Sequence, residues 1–339
     1  MTIGLGTTPG ARRARSALGT LTALLSGGGA GPRAVIPTGF APLDEVLEGG
    51  CRPGDVVLVG GKPGAGKTVA VLQWARNMAA AGSRALFACY EHDEVTLLTR
   101  LLLCELGEEV ARTGCDDQLR LDQLRGGLRA VNAGRRDLGE VLDSDPLLAS
   151  AHERLTEYGA RLALLRPSGT RTGLPELREH VQQEMGEHTI LFVDYLQKVP
   201  VHPEPAEEAE RVKRVAEGLK EMALSLNIAI VSVAAADRTG LDARRLRLHH
   251  FRGSTALAYE ADVAMVLNNK IDVVSKVHLA YDLTRAAEFR RYVVFSVEKN
   301  RNGAAGIDLE FSSDFAHYRF EPSGRWVAER LWEEGTVEE

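Results

Sequence analysis

The chain has 339 residues, 44% of them hydrophobic, with a formal net charge of −6. That supports a substantial core, in one large α/β domain with extensions or in two small ones, and one domain with extensions is the expectation. No run approaches the ~20 apolar residues of a membrane span; the acidic balance does not announce a nucleic-acid binder, although a global sum leaves room for a local basic stripe.

Residues 1 to 43 hold no Asp or Glu, and Arg12, Arg13 and Arg15 precede the mildly apolar run Ala17 to Leu25. Threonines and Gly19 interrupt that run, which argues against an export or import signal. The segment reads as a short basic amphipathic helix followed by a flexible linker from Ser26 to Gly31. Residues 1–35 would thus be an arm suited to docking on a neighbouring subunit or an acidic partner. Four cysteines, Cys51, Cys89, Cys104 and Cys115, show neither C-x-x-C pairs nor metal-ligand spacing and read as reduced thiols of a cytosolic protein.

The apolar run Val56-Val57-Leu58-Val59 leads into Gly61-Lys62-Pro63-Gly64-Ala65-Gly66-Lys67-Thr68, a full G-x-x-x-x-G-K-[ST] phosphate loop. Its glycines let backbone N–H groups face the phosphates, Lys67 reaches the β/γ oxygens and Thr68 offers a hydroxyl to Mg²⁺. A helix from roughly Lys67 to Ala81 should follow. ATP with Mg²⁺ is the expected ligand.

Further apolar runs at Ala85–Cys89, Leu162–Leu165, Ile190–Val193, Ile228–Val233, Val263–Leu267 and Val293–Val297 are separated by helical patterns. Several lack alternation, as strands covered on both faces should, so the expected fold is α/β with a mainly parallel central sheet flanked by helices. Residues 105 to 160 read as a helical insertion or lid. The main domain is expected over 36–321, and 322–339 as an acidic, solvated, partly disordered tail.

Asp194 closes the run Ile190-Leu191-Phe192-Val193, a Walker B pattern that would hold Mg²⁺ beside the phosphate loop together with Thr68. Glu91 follows the strand at Ala85–Tyr90, where a carboxylate can orient and deprotonate the attacking water. A basic run holds Arg238, Arg244, Arg245, Arg247, His249, His250 and Arg252. It can track a phosphate backbone without reading sequence, and on the residues alone a solvated charge run is an equal alternative. His249 and His250, adjacent on an extended segment, should point to opposite sides and make a poor metal pair.

Together, Thr38-Gly39-Phe40, the phosphate loop, Glu91, Val193-Asp194-Tyr195-Leu196-Gln197, the block from Phe251-Arg252-Gly253-Ser254 to Glu260-Ala261-Asp262, and Lys299-Asn300-Arg301-Asn302-Gly303 resemble the C-terminal ATPase domain of DnaB-type replicative helicases. The resemblance spans about 36 to 320. It implies a RecA-like P-loop NTPase fold, a homo-oligomeric ring, expected to be a hexamer, with ATP at subunit interfaces and single-stranded DNA in the pore. Arg100 matches a γ-phosphate-contacting arginine, Lys299 and Arg301 match cationic fingers inserted into a neighbour's site, and Arg252 matches a DNA-contact loop.

There are departures. About 35 residues stand where the family carries an N-terminal domain. Ala234-Ala235-Ala236-Asp237-Arg238 replaces a Ser-Gln-Leu-Asn-Arg pattern, removing a γ-phosphate-sensing glutamine, and Gly253 and Thr255 replace a glutamate and a glycine. The expectation is a cytoplasmic DnaB-like ATPase acting as a DNA helicase or single-stranded DNA translocase in DNA replication, its loader or replication or repair partner left open. The alternative is a KaiC- or RadA-like regulatory ATPase controlling oligomerisation or partner docking.

Overall fold

The computed structural model describes residues 16–25, 35–114, 118–275 and 283–332. Ten strands form the sheet: β1 (Val56–Gly61), β2 (Arg84–Cys89), β3 (Leu162–Leu165), β4 (Thr189–Asp194), β5 (Ala229–Ala235), β6 (Val263–Asn269), β7 (Tyr292–Asn300), β8 (Ile307–Asp314), β9 (Arg319–Phe320) and β10 (Arg325–Trp326). The order is β10-β8-β7-β6-β1-β5-β4-β2-β3, with β9 also paired to β8. From β6 to β3 every pairing is parallel, whereas β7, β8, β9 and β10 extend the β6 edge antiparallel.

The uninterrupted apolar runs have a direct cause. Along β1, Val57 and Val59 enter one core with Trp74, Phe40 and Phe295, while Val56 and Leu58 enter a second core with Leu219 and Met222. Ile190 and Phe192 of β4 likewise face the first core and Leu191 and Val193 the second. A strand covered on both faces needs apolar residues at every position. Helix Lys67–Ala80 covers the first face, and helices Leu174–Gln183 and Glu208–Leu226 the second.

Helices Glu94–Thr113, Gln118–Asn132, Leu138–Leu142 and Pro146–Gly159 occupy the expected insertion, whose first helix starts before residue 105. They bury a small core of their own around Leu102, Leu106, Leu124, Leu142 and Leu148. Their starts are set locally: the side chains of Asp93, Asp137 and Asp145 accept from Thr96, Gly139 and Leu147 N–H, and Pro146 lacks a donor where a first helical turn needs none. Buried Glu105 joins this layer to helix Lys67–Ala80, accepting from Arg76 and from the Tyr158 hydroxyl (2.7 Å).

Two expectations need correction. The segment after Pro322 is not a free tail up to residue 332: β10 pairs with β8, Leu331 bridges Val274, and fully buried Lys270 is paired with Glu310 and with Glu329 (2.6 Å). Net charge hid this because acids there neutralise a buried cation. His249 and His250 lie in a 3₁₀ turn, Leu248–His250, which brings their rings to 4.0 Å centroid separation instead of opposing them.

Of the amino-terminal arm, a helix at Ala17–Leu25 is described, with Leu18, Leu21 and Leu25 exposed. The arginines before it, the linker after it, Cys115 and the acidic residues from 333 onward lie outside the described residues. Cys51, Cys89 and Cys104 are free and buried. No helix among the described residues is long and apolar enough to cross a membrane.

A candidate nucleotide-binding site

The parallel strands end on one edge, and the predicted nucleotide residues meet there. Gly61 pairs with Ala235 across β1 and β5, and Cys89 with Asp194 across β2 and β4, so the phosphate loop, Asp194 and the chain entering Glu91 start from neighbouring strand ends. A cavity of about 460 Å³ opens above them. Pro63, Gly64, Gly66, Lys67, Thr68, Glu91, Arg100 and Asp194 line it, joined by Tyr195, Ala235, Phe315 and Tyr318.

Within the loop, Gly66 is left-handed at φ +86°, and a Cβ there would lie 2.7 Å from the Phe320 ring. A side chain is therefore excluded by backbone and packing alike. The Lys67 ammonium curls over the loop, donating to the carbonyls of Gly61 (2.8 Å) and Lys62 (3.0 Å). Burial lowers its pKa, opposed by the charges of Asp194 and Glu91.

Thr68 Oγ1 donates to Asp194 Oδ2 at 2.7 Å. Burial holds the Asp194 carboxyl above the usual carboxylate range, against the lowering effect of that hydrogen bond. A hydroxyl and a carboxylate at one corner of a phosphate cradle suit Mg²⁺, which keeps several waters and takes the rest of its oxygens from phosphate. Among the described residues no group of three His, Cys, Asp or Glu side chains forms a separate metal cluster.

Arg100 reaches the cavity from helix Glu94–Thr113, its Nη2 against His92 Nε2 at 3.0 Å and its guanidinium 5.1 Å from the centroid of the Tyr318 ring. Burial, and then the Arg100 charge, lower the His92 pKa, which favours a neutral ring accepting from Arg100. The remaining loop residues serve elsewhere. Ala65 is buried, and the Lys62 ammonium donates to the carbonyl of Ala243 in the basic segment.

Lys299 and Arg301 do not reach this cavity. Lys299 on β7 pairs with Ala264 near the start of β6, and Gly61 at the end of β1 pairs with Leu267 farther along that strand. The Lys299 ammonium caps carbonyls of Ala258 and Ala261, and Arg301 pairs with Asp262 at 3.0 Å.

The basic segment is not one exposed surface, and here the expectation is corrected. The loop is closed by a bridge between Ala236 and Phe251, whose ring packs where a Cβ on Gly60 would sit 1.9 Å away. Arg245 is 2% exposed and paired with Asp308 (2.6 Å) and the Ser296 hydroxyl, which removes it from any surface. Arg247 pairs with Glu298 (3.2 Å), and Arg244 donates to the carbonyls of Asp272 and Val274 beneath the Trp332 ring.

Arg252, half exposed, pairs with Glu208 (3.1 Å) on a cavity wall that carries Glu207, Glu210, Glu217, Asp237 and Glu260 against Lys213 and Arg252. Arg238 is exposed at the start of the short helix Arg238–Asp242.

Sequence reasoning missed Phe315 and Tyr318, read His92 as a helix-entry residue and gave Gln197 no role of its own. Phe315 and Tyr318 follow β8, a strand whose signal was legible as the alternation Ile307, Leu309, Phe311. Gln197 clamps Ala235, accepting from its N–H (3.1 Å) and donating to its carbonyl (3.3 Å). Nothing in the sequence signals that pairing, which depends on the turn after β4 returning to the end of β5.

The family model described as DnaB-like helicase C terminal domain matches residues 35–126 and 164–320. The replicative DNA helicase DnaB of Treponema pallidum (strain Nichols) is 26% identical over 287 residues, 84% of this chain and 55% of that protein. The chain thus spans about half the length of that curated relative. The DNA repair protein RadA of Mycobacterium tuberculosis (strain CDC 1551 / Oshkosh) is 40% identical over 74 residues, 22% of this chain and 15% of that protein. Among solved structures, a DnaB-like replicative helicase, described with its interactions with primase, superposes with a TM-score of 0.66 at 17% identity, covering 91% of this chain and 67% of that one. The fold is RecA-like.

Proposed function

The chain belongs to the DnaB-like helicase C-terminal domain family, and on that footing we propose that it is a ring-forming, Mg²⁺-dependent ATPase acting as a DNA helicase or single-stranded DNA translocase in the cytoplasm. The observation that carries the reading is the convergence of Lys67, Thr68, Glu91, Arg100 and Asp194 on one cavity at the carboxyl ends of parallel strands. The RadA likeness covers the smaller part of the chain and gives the regulatory alternative less support.

Loop N–H groups and the Lys67 ammonium bind the β/γ-phosphate oxygens, for which Lys67 leaves the Gly61 and Lys62 carbonyls it now contacts. Glu91 takes the proton of the attacking water, and Arg100 stabilises charge on the transferred phosphoryl group. Thr68 and Asp194 would hold Mg²⁺, which would offset the negative charge of the phosphates. Lys299 and Arg301, distant from their own cavity, act on a neighbour's site, so ring assembly has to release them from the Ala258, Ala261 and Asp262 contacts. A hexamer is the proposed ring.

Mixing subunits tests the reading. Glu91→Gln should reduce ATP hydrolysis at least ~100-fold while keeping nucleotide binding, and Arg301→Ala should be similarly inactive alone. Co-assembled, the two variants should regain hydrolysis at interfaces that pair an intact base with an intact finger. Wild-type turnover by Glu91→Gln, or no recovery in mixed rings verified by light scattering, would overturn the assignments.

A further inference from the structure

A second cavity of about 570 Å³ adjoins the nucleotide site and shares Arg100 and Tyr318 with it. Its walls are the start of helix Glu94–Thr113, with Asp93, Thr96 and Thr99, and helix Gln118–Asn132, with Arg125, Leu128 and Arg129. Three arginines therefore border one opening. None of them has a carboxylate partner among the described residues, unlike Arg112, Arg120 and Arg154 of the same helical layer. Arg125 donates to the carbonyl of Ala316 (2.7 Å), and Arg100 is held by His92 while its Nε is buried without a hydrogen bond. The one acid on the wall, Asp93, is committed to capping its helix through Thr96 N–H.

Unpaired guanidiniums that converge on a cavity favour an anion with several acceptor oxygens, because the planar fork matches phosphate geometry and like charges repel until one binds. With the Tyr318 ring beside them, the three guanidiniums suit a small phosphorylated ligand better than a polymer. Leu128 and Arg129 on this wall lie outside the family match, which breaks off after residue 126 and resumes at 164.

We infer that this cleft is a second anion site, which takes a small polyphosphate-bearing ligand and communicates with the nucleotide site through Arg100. The inference needs no DNA activity. It concerns binding, so it can fail while the ATPase reading stands.

Inorganic triphosphate is the probe, titrated by calorimetry into full-length Lys67→Ala protein, in which the phosphate loop is crippled. Residual binding is expected, weakened at least ~10-fold when Arg129→Glu is added, the scale of one charged hydrogen bond. The Arg129 side chain is exposed and has no hydrogen bond or ion pair among the described residues, so that change should leave the thermal midpoint in place, and Arg125→Ala should weaken binding similarly. Arg214→Ala, an exposed charge on helix Glu208–Leu226 across the sheet, is the control and should change nothing. Loss of all triphosphate binding in Lys67→Ala alone, binding that ignores Arg129→Glu and Arg125→Ala, or equal weakening by Arg214→Ala would each overturn the site.

Discussion

The phosphate loop and the basic segment from Arg238 to Arg252 both stood out in the sequence, yet they use their charge in opposite ways. Around the loop, Lys67, Arg100, Glu91 and Asp194 face a common cavity, and the hydrogen bonds of Lys67 are to main-chain carbonyls that a phosphate can replace. In the basic segment, Arg244, Arg245 and Arg247 turn inward and hold the loop to the turn after β6, to β8 and to β7 through carbonyls, Asp308 and Glu298. A count of arginines cannot distinguish a ligand surface from a set of struts. What distinguishes them is where the cations point, into one shared cavity at the phosphate loop and against the chain's own strands and carbonyls in the basic segment.

The contrast is broken most directly at Arg245. If it is a strut, Arg245→Ala leaves Asp308 facing a buried gap and should cost about 3 kcal/mol, the lower end of the range for a broken buried pair because Asp308 keeps some solvent access. Urea unfolding reads that loss from the shift in midpoint. The folded fraction should bind a single-stranded oligonucleotide as the wild type does. An unshifted midpoint with lost oligonucleotide binding would make Arg245 a ligand residue after all.

The same contrast explains what could be read in advance. Every strand of the parallel block was legible because burial on both faces demands continuous apolar residues, and the phosphate loop, Glu91 and Asp194 were legible because strand ends fix where they stand. Interactions between segments far apart in sequence were not. Lys270 with Glu310 and Glu329 turns an apparent acidic tail into part of the sheet edge, and Gln197 with Ala235 needs two strand ends to meet. Neither leaves a periodicity or a motif, since one ion pair or one amide contact constrains only the residues that make it.

A smaller effect is expected at the two arginines that remain accessible. Arg238→Ala should weaken oligonucleotide binding severalfold and lower the salt slope by about 0.7, as for one phosphate contact on a single strand. Arg252→Ala should do less, because Arg252 is already engaged by Glu208 on an acidic wall. Binding measured between low and moderate salt gives both slopes. If Arg244→Ala or Arg247→Ala lowers the slope as much as Arg238→Ala without loss of stability, the inward-facing description of the segment fails.

The smallest effect concerns how the two regions communicate. A glutamine at position 235 would put a carboxamide into the nucleotide cavity, but this chain has alanine there, whose methyl group can make no hydrogen bond to phosphate. The main chain at Ala235 is nevertheless held at both its N–H and its carbonyl by Gln197, and the phosphate loop touches the basic segment through Lys62 and Ala243. These contacts fix positions without reporting which nucleotide is bound. Oligonucleotide affinity should therefore differ between ATP-analogue and ADP states by less than ~5-fold, the lower limit of ordinary allosteric coupling. Ala235→Gln should widen that difference, with DNA stimulation of hydrolysis rising in parallel. A large difference in the wild type that disappears in Gln197→Leu would place the sensor at Gln197, making the clamp on Ala235 the path by which γ-phosphate occupancy reaches the basic segment.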